Sequence, residues 1–326
     1  MALRKAKMRF DLLPANAVLA ANRIAGYVRE TPLDYSPFFS ELTGANVYLK
    51  LENLQHTASF KLRGAFNKIL SMTPEQTDAG CVTASSGNHG AAIAYAMQNL
   101  GIEGVIFVPE GTSSTKIDSI KRAGGEIRFF GIDGLETEQH ARQYATDNDM
   151  HYLSPYNDLD VIAGQGSCGV EIARQIGELD AIFIAVGGGG LISGVGSFLR
   201  SVHPALKVVG CQPSASAVMA ESAKAGKIVE LASEPTLSDG TAGGIEADAI
   251  TFDICQQLVD DYVLVSEEEI AESMREFIDS HHQLLEGAAG VAIAGMKRNA
   301  AEYQGKNVVV IVCGGNISRE TLKKVI

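Results

Sequence analysis

"AIFIAVGGGGLISGVGSF" runs from Ala181 to Phe198. It opens on a continuous apolar run, passes through Gly187, Gly188, Gly189 and Gly190, and continues with apolar residues at helical spacing. A short apolar run bounded by glycine reads as a buried strand. The order strand, glycine loop, helix belongs to parallel α/β architecture. In such a loop the backbone amides converge on an anion, aided by the positive end of the following helix. Glycine lets the ligand come close to the backbone. A plain tight strand-to-helix turn would carry the same glycines.

The anion is narrowed by what is missing. A nucleoside triphosphate loop needs Gly-Lys-Ser/Thr, but Gly194 is followed by Val195 and Gly196. A dinucleotide fingerprint needs a third glycine where Ser193 stands, and an acid about 20 residues on. Lys207 and Val208 occupy that place. The loop suits a phosphate but neither ATP nor NAD.

Working outward, short β-branched runs alternate with amphipathic segments. Strands are predicted in 45–52, 80–86, 103–111, "EIRFFG", "MHYLSPYN", "LKVVGCQP" and "GKNVVVIVCGGNIS". Helices are predicted between them, among them "HGAAIAYAMQNLG", "GQGSCGVEIARQIG" and "SEEEIAESMREFIDSHHQ". Uniformly apolar strands alternating with helices predict an α/β fold of mainly parallel open twisted sheets, flanked by helices on both faces. Residues 52–155 can form a sheet of their own, a small domain inserted in a larger one built from 1–51 plus 156–326. The stretch around 213–250 is the least regular.

The chain has 326 residues, 46% of them hydrophobic, and a formal net charge of −12. Such an acidic balance argues against nonspecific nucleic-acid binding and against an anionic membrane surface. No apolar run approaches the roughly 20 residues of a membrane span. The five cysteines, Cys81, Cys168, Cys211, Cys255 and Cys313, are widely spaced with no CxxC, so neither a disulfide framework nor a zinc site is expected. A reduced cytoplasmic compartment fits. His281, His282 and Glu286 lack the HExxH spacing of a metal site.

"HTASFKLRGAFNKI" (His56–Ile69) places Lys61 in the first turn of a helix starting near Ser59 or Phe60. The helix dipole disfavours a cation there. Polar or glycine-rich clusters also follow apolar elements at "SSGNHG" (Ser85–Gly90), "EGAAG" (from Glu286) and "CGGN" (from Cys313). Ligand sites in open α/β sheets form at such places. A lysine together with a phosphate cup points to pyridoxal 5′-phosphate, whose aldehyde condenses with the amine while the glycine loop holds the phosphate.

The sequence resembles the fold-type II pyridoxal-phosphate enzymes with a tryptophan synthase β-like fold, in particular the serine/threonine dehydratases (threonine ammonia-lyases) and serine racemase. The family's pattern T-G-S-F-K-x-R-G-A meets Thr57-Ala58-Ser59-Phe60-Lys61-Leu62-Arg63-Gly64-Ala65. "SSGNHG", "VIAGQG", "GGGGL", "LVDD" and "CGGN" follow in the family's order across nearly the whole chain.

The resemblance implies that Lys61 is the covalent anchor and moves protons at the substrate Cα, with Phe60 packed on the cofactor. It implies that Asn88 hydrogen-bonds the cofactor's 3′-oxygen, that Gly187 to Gly190 and Leu191 cradle the phosphate, and that Cys313, at a position usually serine, faces the pyridine nitrogen. Ser85, Ser86, Gly87, Asn88 and His89 would clamp the substrate carboxylate. Ser86 matches the racemase-type proton donor opposite the lysine, and Glu286 an acid near the cofactor.

The activity implied is β-elimination from a 3-hydroxy amino acid such as L-threonine or L-serine, giving a 2-oxo acid and ammonia. A dehydratase for a hydroxyaspartate- or arylserine-type substrate, a racemase, a β-replacement synthase and a silent ligand-binding protein are the alternatives. The resemblance also implies a homodimer or homotetramer and a small amino-acid substrate as the partner. Three departures stand out. Ala58 replaces the family's glycine, Ala91 stands where relatives carry glutamine, and Gln212, Ser216 and Val218 occupy a region where some relatives bind a divalent cation, so no metal is expected. The first two would alter substrate choice towards a bulkier 3-hydroxy amino acid.

Overall fold

The computed structural model describes residues 10–326. A six-stranded sheet has the order β1-β2-β10-β7-β8-β9 and a four-stranded sheet the order β5-β4-β3-β6. The strands are β1 (Leu33–Tyr35), β2 (Asn46–Leu51), β3 (Cys81–Ala84), β4 (Gly104–Val108), β5 (Glu126–Phe129), β6 (His151–Tyr152), β7 (Ala181–Ala185), β8 (Lys207–Pro213), β9 (Asp261–Val265) and β10 (Asn307–Val312). Every pairing is parallel except β1 with β2. The predicted α/β fold of two mainly parallel sheets is therefore the observed one.

The apolar runs account for this layout. Every residue of β7 is buried, and so are Val308 to Val312 of β10. Strands apolar on both faces need cover on both faces, and helices supply it. The helices Leu159–Gln175 and Gly190–Val202 pack with almost no side chain between them. A Cβ at Gly194 would lie 2.2 Å from the Ile162 carbonyl oxygen. Among the described residues, no helix is long and apolar enough to cross a membrane.

Some elements differ from the sequence expectation. β1 and β9 were not singled out as strands. β1 is a three-residue antiparallel edge that owes its form to pairing with β2. The helix around "GQGSCG" begins earlier, at Leu159, because the Asp158 carboxylate accepts from the Asp160 and Val161 amides and caps it. The lysine-bearing helix spans Lys61–Leu70 with Phe60 as its N-cap, beside the expected start near Ser59 or Phe60. Ser59 forms an antiparallel bridge to Gly314, and the Phe60 amide donates to the Cys313 carbonyl at 3.1 Å. Those residues are tied to the end of β10, so the helix starts after them.

An ion cluster sits under this helix. Arg63, fully buried, donates to Glu52 at 2.8 Å and to Glu171 at 2.6 Å, and Lys50 reaches Glu171 at 2.7 Å. Two cations face two anions, so no charge is left uncompensated. Burial opposes the Glu52 charge, but Arg63, Lys50 and Thr31 outweigh it and hold its carboxyl below the usual range. The cluster joins β2, the lysine helix and Leu159–Gln175 into one rigid mount.

Candidate active site

Lys61 is delivered to a cavity of about 390 Å³. Its amide donates to the Ser59 hydroxyl oxygen at 3.3 Å, which fixes the first turn. Its ammonium donates to the Pro155 carbonyl at 2.9 Å and lies 5.3 Å from the centre of the Phe60 ring. Loss of hydration lowers its pKa to about 8, against the opposing pull of Cys313 and Glu286. Near neutrality a useful fraction of this amine is the free base.

The glycine loop forms one wall. Gly189 has a φ of 85°, a left-handed geometry that favours glycine. A Cβ on Gly188 would lie 2.3 Å from the Tyr156 ring, so the tyrosine fills the space a side chain would take. No side chain caps the helix Gly190–Val202. Its first amides have no intrahelical partner and are free for an anion.

A second bare helix start lies on another wall. Gly87 occupies the N-cap of Asn88–Leu100 without a capping side chain, and the turn is held by the Ser85 hydroxyl accepting from the Gly87 amide at 3.2 Å. His89 donates from Nε2 to the Leu153 carbonyl at 3.0 Å. Burial and the nearby Lys61 push its pKa down to about 3, so the ring is neutral. Two anion-seeking helix ends thus face the cavity that holds the lysine.

Glu286 lies at the third wall. Its two oxygens accept from Asn88 Nδ2, each at 2.9 Å, and one accepts from the Asn316 amide at 3.3 Å. Burial and Asp239 push its pKa up to about 7, against the pull of Asn88, Asn316 and Lys61. The buried Cys313 thiol stands 4.0 Å away, and burial, reinforced by Glu286, raises its pKa well above normal, so it stays protonated.

Every residue nominated from the sequence lines this one cavity: Phe60, Lys61, Ser85, Ser86, Gly87, Asn88, His89, Gly187, Gly188, Gly189, Gly190, Leu191, Glu286 and Cys313. Ala91 lines it as well. Ala58 is absent from the lining, so its methyl does not narrow the space. Sequence reasoning missed Tyr156, Lys116, Asp239 and Thr241, and did not nominate Asn316 within "CGGN". "SDGTAGG" (Ser238–Gly244) carried a usable signal, a second glycine-rich stretch in the least regular region. Gln212 is consumed structurally, donating to the Val186 carbonyl and accepting from the Ala220 amide.

The donor set fits a phosphorylated aldehyde. A cup that a Cβ would obstruct at Gly188 is joined by a half-buried amine of lowered pKa and by a neutral thiol.

Comparison with known proteins agrees. The profile of the family described as "Pyridoxal-phosphate dependent enzyme" matches residues 24–314. L-threonine ammonia-lyase of Thermotoga maritima is 36% identical over 307 residues, 94% of this chain and 76% of that one. The processed form of threonine deaminase isoform 2 from Solanum lycopersicum superposes with a TM-score of 0.91 at 35% identity, covering 96% of this chain and 92% of that one. Maize serine racemase gives a TM-score of 0.90 at 30% identity over 95% of both chains. The chain spans 50% of the length of one plant threonine dehydratase it matches and 76% of the Thermotoga enzyme. With the match running through the lysine, both helix ends and the glycine cup, the chain belongs to the pyridoxal-phosphate dependent enzymes.

Proposed function

We propose that this protein converts a 3-hydroxy amino acid, L-threonine or L-serine, into the corresponding 2-oxo acid and ammonia. The observation that carries the reading is a half-buried lysine amine sharing one cavity with an uncapped glycine cup. The names of the relatives, threonine ammonia-lyase and threonine deaminase, support it.

Lys61 would hold the cofactor aldehyde, Gly187 to Leu191 its phosphate, Asn88 its 3′-oxygen, and Phe60 one ring face. Bound pyridoxal phosphate supplies an electron sink that acidifies the substrate Cα–H and lets the β-hydroxyl depart. The remaining steps belong to this chain. The amides of Ser85 to His89 and the bare start of Asn88–Leu100 hold the substrate carboxylate. The freed Lys61 amine takes the Cα proton, a role its lowered pKa suits. The neutral Cys313 thiol would place no full charge beside the cofactor's ring nitrogen, which would favour elimination. Ser86, in the same cavity lining, would serve as the proton donor opposite the lysine.

The unit 52–155 closes on the unit formed by 1–51 and 156–326, excluding water from the lysine. The chain works as a homodimer or homotetramer in the cytoplasm, where its five free buried cysteines stay reduced.

The test uses purified protein reconstituted with pyridoxal phosphate and given L-threonine, L-serine, 3-hydroxyaspartate and arylserines. Release of 2-oxo acid and ammonia from the first two is expected. Inverted amino acid as the main product would make it a racemase. Borohydride reduction should trap the cofactor on the Lys61 peptide, and trapping on another lysine would sink the assignment.

A further inference from the structure

Four hydrogen bonds around Asn88 run in a fixed direction. Asn316 Nδ2 donates to the Thr57 carbonyl at 2.9 Å and to Asn88 Oδ1 at 2.7 Å. A carbonyl only accepts, so the Asn316 nitrogen is identified by its partner. Asn88 must then turn its oxygen to Asn316 and its NH₂ to Glu286, where it meets both carboxyl oxygens at 2.9 Å.

Glu286 is committed to this task at a cost. It occupies the N-cap of the helix Gly287–Arg298, yet its side chain makes no capping bond. A residue at that position ordinarily accepts from its own helix. Here the carboxyl turns to Asn88 instead. Space has been kept for it, since a Cβ on Gly314 would lie 2.7 Å from three of its carboxyl atoms. Glu286 is only 6% exposed. The charged or titratable groups around it are Lys61, Asp239 and the Cys313 thiol.

We propose that Glu286 is a positioning residue that acts through Asn88. Its carboxyl locks the asparagine amide so that an N–H, never the carbonyl, faces the cofactor's 3′-oxygen. This rests on the proposed function for the identity of the cofactor. A single N–H of Asn88 shared between the two carboxyl oxygens would leave the other for the cavity. Without the carboxyl, Asn316 alone restrains the amide.

The test is a cycle of holoenzymes: unaltered, Glu286→Gln, Asn88→Ala and the double variant. Pyridoxal-phosphate affinity is read by titrating the visible absorption of the bound cofactor, with thermal melting as the fold control. Glu286→Gln is expected to weaken binding by about tenfold in the unaltered background. In the Asn88→Ala background its effect should fall below about threefold. The visible maximum should move the same way in both single variants. Equal losses in the two backgrounds, or unchanged affinity in Glu286→Gln, would overturn the proposal. Should Glu286→Gln fail to fold, Asn316→Ala strips the other restraint on the same amide. Its smaller loss must also vanish beside Asn88→Ala. Absence of any visible band in unaltered protein saturated with pyridoxal phosphate would instead defeat the proposed function.

Discussion

Lys61 gains its reactivity from burial rather than from a neighbouring base. Its amine is lowered from 10.5 to about 8 chiefly by loss of hydration. Only the free base attacks an aldehyde, so the rate of reconstitution with pyridoxal phosphate should climb through about pH 8 and level off above it. Stopped-flow absorbance would show this, and a climb continuing towards pH 10.5 would mean that the amine is hydrated. Three residues earlier, Ala58 has a φ of 53°. A side chain in that region costs of the order of 1 kcal/mol. Ala58→Gly should therefore stabilise the protein by about 0.5–1 kcal/mol in urea unfolding, with substrate preference unchanged. The lysine was legible because its motif is local. The strain at Ala58 was not, because it follows from the Gly315 amide donating to the Ala58 carbonyl at 2.9 Å, across the fold.

The strand, glycine loop and helix of 181–202 were readable because an apolar run and four glycines leave few other conformations. What the sequence could not supply was the object facing the loop. Tyr156 packs where a Gly188 side chain would go, and its hydroxyl accepts from the Glu246 amide at 2.9 Å. Gly188→Ala should push that ring aside and weaken pyridoxal-phosphate binding by tenfold or more, measured by equilibrium dialysis. Gly87→Ala, where a Cβ meets nothing within 4 Å, should cost far less. β1 and β9 escaped notice for a related reason. β1 is short and β9 alternates in burial, so each takes its form from the neighbouring strand.

Across the whole molecule, buried and exposed charges have different weight. Arg63→Met would strip Glu52 of its guanidinium and leave Glu171 to Lys50 alone, and should destabilise the protein by about 3–5 kcal/mol. Glu52 titrates below its ordinary value of 4.5 in the fold, so its contribution is present above pH 4.5 and lost as pH falls through the folded value. The gap between the variant and the unaltered protein should narrow in acid, as urea unfolding at several pH values would reveal.

Two other ion pairs reach from helices of the four-stranded sheet to the irregular segment 226–249. Lys116 meets Asp239 at 3.0 Å and Arg142 meets Glu246 at 3.0 Å. These are half-exposed, worth at most about 1 kcal/mol each. Lys116→Met with Arg142→Met should leave the melting temperature almost unmoved yet speed proteolytic cleavage within 226–249. High salt should do the same to the unaltered protein.

The position of β10 bears on how the chain is made. It lies between β2 and β7, although more than 250 residues separate β2 from it along the chain. All four strands of the smaller sheet leave the ribosome before β7 does. The larger sheet cannot unite its two halves until β10 has emerged. During that interval β2 and β7 each expose an unpaired apolar edge. The nascent protein should need a chaperone's shelter until β10 emerges, and its covalent anchor at Lys61 waits for the same moment, because Ser59 and Phe60 have no partner until Cys313 and Gly314 arrive.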